Sequence, residues 1–385
     1  MPISENGALA LLQQLVRIRT HQPEGDESDL LDFILTLFPF DRMRTHIIDH
    51  GGNRSSLAAA FPGRDSSRTV ALIGQMDTHG LASTEKWDFP PYRATFRNGF
   101  VYGRGTSNMK GGVASILLAL RDLLEEDSIL PANVLLCLTA DGELNGIGAR
   151  AMVEGGFLGD ATELIFVEPT GGKIAIAQKG ALWVRVAVRG KSCHTCFPEK
   201  GVDALENLIL LCGKIKEKVV GDPVPHPHLG LPLYALTGIK GGGPGPNFVS
   251  GWGEAVIDMR LLPYQDNKEI IREMERIGEG LAAGLPGLSF EFEVLVDRPA
   301  STMPEDASLV TRLQKHLKDL DMDTGLTGFH SFSDVSRIVP YLGAPFVIFG
   351  PGEDIVETTI NEKVSLSSVV NVARALTRHI ASRNL

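Results

Sequence analysis

Cysteine is scarce in this chain. Cys137, Cys193, Cys196 and Cys212 are the only four among 385 residues, too few for a disulfide framework at this size. Cys193 and Cys196 form a C-x-x-C around His194 and Thr195. A structural zinc site needs two more ligands at similar spacing, and none follows. The surroundings do not read as a thioredoxin-like βαβ unit, so the spacing is taken as coincidence. Basic charge is also short. With 37 Lys and Arg against 47 Asp and Glu, the net charge is -10, which argues against a nucleic-acid partner, and no basic run marks a membrane surface. No apolar stretch is long enough to span a bilayer. The opening stretch, MPISENGALALLQQLVRIRT, carries acid early on an amphipathic pattern. It lacks the basic start and apolar core of a signal peptide, so none is expected and the cytoplasm is the expected compartment. Internal repeats and low-complexity tracts are absent too.

What remains is an ordinary globular composition, 43% hydrophobic and 22% charged, with length enough for two cores. The stretch Val101 to Gly112, VYGRGTSNMKGG, stands at the centre. Gly103 and Gly105 let the backbone turn where a side chain would clash, and apolar residues at helical spacing follow Lys110. Thr69 to Gly74 (TVALIG) reads as a buried strand, and so do Asn133 to Thr139 and Leu164 to Val167. These runs deliver Asp77, Asp141 with Glu143, and Glu168 just past their ends. In a parallel sheet those ends share one edge, where the acids would converge.

The pattern changes near Gly180. Ala181 to Arg189 alternates with period two and opens a β-α-β-β-α-β run that ends at Val296, a self-sufficient two-layer unit. The α/β pattern then resumes and ends in a helix from Leu366 to Ser382. The expected fold class is therefore α/β, with one domain formed by 1–179 and 297–385 and a second, 180–296, inserted into it.

This order of elements and motifs resembles the dinuclear zinc amidohydrolases and peptidases that include acetylornithine deacetylase, succinyl-diaminopimelate desuccinylase, aminoacylase and carboxypeptidase G. GRGTSNMKGG follows the family's G-R-G-x-x-D-M-K-G-G. FVEPT follows E-P-T, GKSCHTCFPEKGVDA follows G-x-x-x-H-x-x-x-P-x-x-G-x-x-A, and HSFSD stands for G-G-x-S-D. The resemblance implies a zinc-exopeptidase-like mixed-sheet domain with an inserted dimerisation (lid) domain. It also implies a homodimer, and a small amino-acid-like or N-acyl amino-acid substrate.

Carried over residue by residue, the resemblance breaks at the chemical centre. The family's first zinc-binding His falls on Gln75, while the Asp that orients it is kept as Asp77. The bridging Asp falls on Asn108, the general-base Glu on Gly142 and the last His on Thr358. Glu143 and Glu168 keep ligand positions, and Glu362 keeps the acid that follows Thr358. Amides and a hydroxyl are poor zinc ligands, and Gly142 cannot transfer a proton. No metal or other cofactor is therefore expected. His194 matches the family's oxyanion-stabilising His, which reaches a neighbouring subunit's site. Asn247 and Arg260 match substrate contacts. His330 replaces a family Gly and Ser333 keeps its Ser, both as substrate-side candidates with Gln75, Asn108 and Thr358. Glu143, Glu168, Asp77 and His194 are the candidates for catalysis.

Three readings stay open. A hydrolase with a shifted or single zinc site would recruit Asp77, His79 or Asp141, although an ordinary loop hydrogen bond is the commoner fate of a residue such as His79. A metal-independent enzyme would keep the pocket and change the reaction. A non-catalytic protein would only bind. The second ranks slightly ahead, because the lost ligands became hydrogen-bonding groups, which are costly to bury unless they bind something. They could instead satisfy one another.

Overall fold

In a computed structural model, residues 3–40, 43–81, 86–126, 129–353 and 360–382 are described. The chain forms two compact units. One comprises Met1–Ala177, Met303–Phe329 and Ser333–Leu385; the other comprises Gln178–Thr302 and His330–Phe332.

The first unit is built on a mixed sheet. Its strands run in the order Arg44–Gly51, Arg54–Phe61, Leu130–Thr139, Gly63–Gln75, Glu163–Phe166, Phe346–Ile348 and Ile174–Gln178. Gly63–Gln75 is parallel to both of its neighbours, and Phe346–Ile348 is parallel to Glu163–Phe166. The pairs at the two ends of this order are antiparallel. The unbroken apolar run TVALIG follows from burial on both faces. Val70 and Leu72 join the core under the helices Glu5–Arg17, Gly111–Glu126 and Leu366–Ala381. Ala71 and Ile73 join the core on the opposite face, with Ala149 and Met152 of the helix Ile147–Glu154 and Ile338 of Val335–Leu342. The helix Gly111–Glu126, buried along its first ten residues and apolar there almost all round, leads directly out of the glycine loop.

The three strands expected to carry acids end on the same edge. Gln75 pairs with Thr139, and Ile73 with Phe166. A smaller antiparallel sheet of Thr95–Arg97, Phe100–Tyr102 and Lys363–Ser365 brings Glu362, one residue before its last strand, against the glycine loop.

The second unit is an antiparallel sheet in the order Leu233–Gly242, Trp252–Leu261, Gly180–Arg189 and Ser289–Arg298. The helices Ala204–Val220 and Asn267–Ala282 contribute to its core. Both helices start on an Asp whose side chain accepts two backbone N–H groups: Asp203 from Leu205 and Glu206, and Asp266 from Lys268 and Glu269. Such caps are worth about 1 kcal/mol each. Among the described residues, no helix is long and apolar enough to cross a membrane.

Candidate functional site

The glycine loop is wrapped around one carboxylate. Glu362, buried at 6% exposure, accepts the backbone N–H groups of Gly105 (2.8 Å), Ser107 (2.9 Å) and Asn108 (3.1 Å), and the Arg104 Nη1 donor at 3.0 Å. Burial pushes its pKa up, and Arg104 with the three amides pulls against that rise. Gly105 has φ +81°, and a Cβ there would stand 2.4 Å from Thr78 Cγ2, so both backbone and space demand glycine. The loop's Lys110 is buried. Its Nζ donates to the carbonyls of Leu15 (3.0 Å) and Ile18 (2.6 Å), at the C-terminal end of the first helix. Burial lowers its pKa to about 7. The peptide between Asn108 and Met109 is cis.

So held, the loop presents Asn108 to Glu143. Asn108 Nδ2 donates to Glu143 Oε1 at 2.8 Å, and Gln75 Nε2 donates to the same oxygen at 2.7 Å. His79 Nε2 stands 2.8 Å from the other oxygen, Oε2. Burial alone would lower the His79 pKa, but the hydrogen bond and charge of Glu143 prevail and raise it. Behind this cluster, Asp77 fixes the backbone that aims Glu143. Its Oδ1 accepts the Gly142 N–H at 2.9 Å, and its Oδ2 accepts the Glu143 N–H at 3.1 Å and Gln22 Nε2 at 2.9 Å. Burial, then the charges of Glu143 and Glu27, push the Asp77 carboxyl up to about 8.

Gly142 matters for what it leaves open. A Cβ there would lie 2.0 Å from Gln75 Oε1 and 2.9 Å from Gln75 Cβ. The Gln75 side chain therefore lies across the space that any side chain at 142 would enter.

Of the residues singled out by sequence, Gln75, Asn108 and Glu143 meet directly, with Asp77 supporting them. Glu168 is buried just beyond the strand Glu163–Phe166. Ser333 is buried in the turn before the helix Val335–Leu342, where its Oγ accepts the Val335 N–H at 3.3 Å. Thr358 lies outside the described residues. Asp141 Oδ1 meets Arg54 at 3.3 Å and accepts Gln22 Nε2 at 3.4 Å, the same nitrogen that donates to Asp77.

The other candidates belong to the second unit. His194 Nδ1 accepts the Cys196 N–H at 3.2 Å, and the Asn247 carboxamide stands 3.2 Å from Nε2. Arg260 is held by both oxygens of Asp258, at 2.9 and 3.0 Å, and lies against the rings of Trp183 and Phe332. His330 is exposed. Cys193 donates to the Phe197 carbonyl at 3.3 Å, and no cysteine is in a disulfide.

Two participants carried little signal in the sequence. His79 had only its position two residues past Asp77, which places both on one side of an extended chain. Glu362 was marked only by the resemblance, as the acid kept after Thr358; it lies more than 250 residues from the amides it binds, and no local pattern announces that pairing. Among the described residues, no group of three or more His, Cys, Asp or Glu side chains is arranged to hold a metal ion.

The chain's kinship can be read beside this geometry. A probable succinyl-diaminopimelate desuccinylase of Staphylococcus aureus (strain Mu50 / ATCC 700699) is 31% identical over 215 residues. That match covers 56% of this chain and 53% of the relative, so it spans about half the length of that protein. The N-formyl-4-amino-5-aminomethyl-2-methylpyrimidine deformylase of Halalkalibacterium halodurans is 25% identical over 396 residues, 96% of this chain and 92% of that protein. In fold, the chain is similar to the crystal structure of the aminopeptidase PepT from Bacillus cereus, with a TM-score of 0.78 at 20% identity, covering 98% of this chain and 99% of that one. The model of peptidase family M20/M25/M40 matches residues 71–382, a span that includes the glycine loop, the acid-bearing strand ends and Glu362, and the chain therefore belongs to that family.

Proposed function

We propose that this chain keeps its family's fold without a working two-zinc centre, and that it acts on an amino-acid-like or N-acyl amino-acid substrate by proton transfer through its own side chains. The names of two relatives, a desuccinylase and a deformylase, support the N-acyl class.

Zinc is the metal that the family resemblance implies, and the donor set does not fit it. Gln75 and Asn108 turn their NH2 groups, which have no lone pair to give, toward Glu143 Oε1. His79 takes the other oxygen. Turning either amide around would set a carbonyl oxygen against the carboxylate, at a cost in a buried site.

The observation that carries the reading is this three-donor seat of Glu143. It leaves His79 as the group able to exchange a proton with a ligand. Its side chain is 39% exposed, and with Nε2–H donated to Glu143, Nδ1 is the nitrogen left to exchange a proton. A carboxylate behind an imidazole fixes its tautomer and raises its basicity. His79 would take or give the proton, Glu143 would stabilise the charged ring, and Asp77 would hold the backbone of Glu143. Such general acid–base action contributes roughly 10²–10⁴-fold in rate. The test is turnover of a panel of N-acyl amino acids and dipeptides with chelator present. Activity should persist, and His79→Gln and Glu143→Gln should each lower kcat by about 10²-fold or more. Activity lost to chelator, or kept in His79→Gln, contradicts the reading.

A C2 homodimer is proposed as well. The strand Leu233–Gly242 lies at the end of its sheet and exposes Leu233, Leu236 and Ile239, and an open edge of this kind can pair with its two-fold mate. Sedimentation as a monomer at micromolar concentration would count against it.

A further inference from the structure

We infer that the position of the lost metals now reads an N–H-bearing cation on the ligand, an ammonium or guanidinium group, through the two amide oxygens of Gln75 and Asn108. The inference rests on the metal-free reading above and adds to it the chemistry of the group that enters the site.

An amide beside a carboxylate has one workable orientation. Glu143 Oε1 only accepts, so each neighbouring carboxamide must turn its NH2 toward it and its oxygen away. Gln75 and Asn108 both do so, at 2.7 and 2.8 Å. The consequence lies at the other end of each group. Asn108 Oδ1 is buried and has no hydrogen-bond partner among the described residues. Gln75 Oε1 is laid over Gly142, in space that a Cβ at that position would enter to 2.0 Å. One carboxylate thus orients two acceptors away from itself, with Gly142 making room for one of them.

A buried acceptor left unmade is costly, and most are satisfied by protein, water or ligand. Here the matching partner is a donor. A ligand carboxylate or acyl oxygen would meet amide oxygens, acceptor against acceptor. A ligand N–H satisfies Asn108 Oδ1, and positive charge on that group is favoured by Glu143 behind the amides. Gln75 and Asn108 would in this way select a group of the opposite polarity to the acyl oxygen that a metal ion polarises. No covalent step is involved.

The test compares isosteric probes on the full-length protein. Nα-acetyl-L-lysine is set against Nα-acetyl-L-norleucine, which lacks the terminal ammonium, and Nα-acetyl-L-arginine against Nα-acetyl-L-citrulline, whose side chain is uncharged, so that the side chain carries the only cation in each pair. Binding is followed by calorimetry and by the side-chain amide NMR signals of Gln75 and Asn108, assigned with Gln75→Leu and Asn108→Leu. A charged, buried hydrogen bond predicts that at least one cationic probe binds about tenfold or more tightly than its isostere. Both amide signals should shift on binding, and each Leu variant should lose the preference. If a variant unfolds, Gln75→Met and Asn108→Ser take its place. Equal binding of charged and uncharged probes, or no binding of either, overturns the inference, as does a preference that survives both substitutions. Elemental analysis of the same protein separates the two failures. Zinc at one or more per chain sinks the metal-free reading, whereas zinc-free protein with no cation preference sinks this inference alone.

Discussion

Adding a single methyl group at Gly142 tests the cluster at its tightest point. The Gly142 backbone does not occupy the positive-φ region, so Gly142→Ala is a steric perturbation and not a conformational one. The new Cβ would meet Gln75 Oε1 at 2.0 Å, Cδ at 2.6 Å and Cβ at 2.9 Å. Gln75 is 4% exposed, so its carboxamide cannot simply swing into water. Overpacking of this kind costs about 1–3 kcal/mol. Displacing Nε2 from Glu143 also breaks a hydrogen bond to a charged group, worth about 1.5–3 kcal/mol. The two losses share one cause and will not add in full, so a loss of about 2–4 kcal/mol is expected. The assay is a double-mutant cycle by urea unfolding. In a Gln75→Ala background the contacts with Oε1 and Cδ are gone and only the 2.9 Å contact with Cβ remains, so adding Gly142→Ala should cost about 1 kcal/mol, leaving a coupling of about 1–3 kcal/mol between the positions. If Gly142→Ala costs the same in both backgrounds, Gln75 does not fill the space above residue 142 and the description of the cluster is wrong.

Further expectations follow from other parts of the chain. Glu362→Gln should destabilise the protein by about 2–4 kcal/mol, because an amide cannot accept at both ends from the backbone N–H groups of the glycine loop and from Arg104; an unchanged urea midpoint would refute this. Stability should fall in acid in two overlapping windows. Burial, then the charges of His379 and Arg378, hold the His316 pKa down from 6.5 to about 4, so the unfolded chain takes up a proton first as pH drops through that range. Glu163, though raised by burial, is held down from 4.5 to about 2 by its hydrogen bond to His379 and by the charges of His379, Arg68 and Arg312. Its contribution is complete above about pH 4.5 and is lost as pH falls toward 2. Flat stability from pH 7 to pH 4 would contradict the His316 part. Gln75→His alone should restore neither zinc binding nor zinc-dependent hydrolysis, since Asn108 and Gly142 remain; activity recovered on adding zinc to that variant would refute this.

Much of this architecture was legible because period and burial agree. TVALIG is a buried strand for the reason its composition suggests, and the β-α-β-β-α-β pattern of the inserted region is present strand for strand. Elements without such contrast were harder to see. Arg44–Gly51 is a half-exposed strand of mixed polarity, and Ile174–Gln178 is a five-residue run; the sequence reading assigned neither. The acidic edge followed from strand order alone. Which groups would touch did not, because hydrogen bonds between Gln75, Asn108, His79 and Glu143 depend on side-chain directions set by Asp77 and Glu362 at long sequence separation. The expectation that the replacement residues might satisfy one another is met only in part. Gln75 and Asn108 each place a donor on Glu143, yet Asn108 Oδ1 remains without a partner among the described residues. Arg260 matched a substrate contact by motif, but it is held by Asp258 on both oxygens, a pairing that lies two residues away on the same strand.

The measurement that bears most directly on the central claim is the metal content of the protein purified without chelator and then titrated with zinc. With Glu143 seated by Gln75, Asn108 and His79, the account predicts well under one tightly held zinc per chain, and catalytic activity that zinc does not raise. Zinc bound at one or two per chain, with Glu143 and Glu168 among its ligands in an experimental electron-density map, would contradict it.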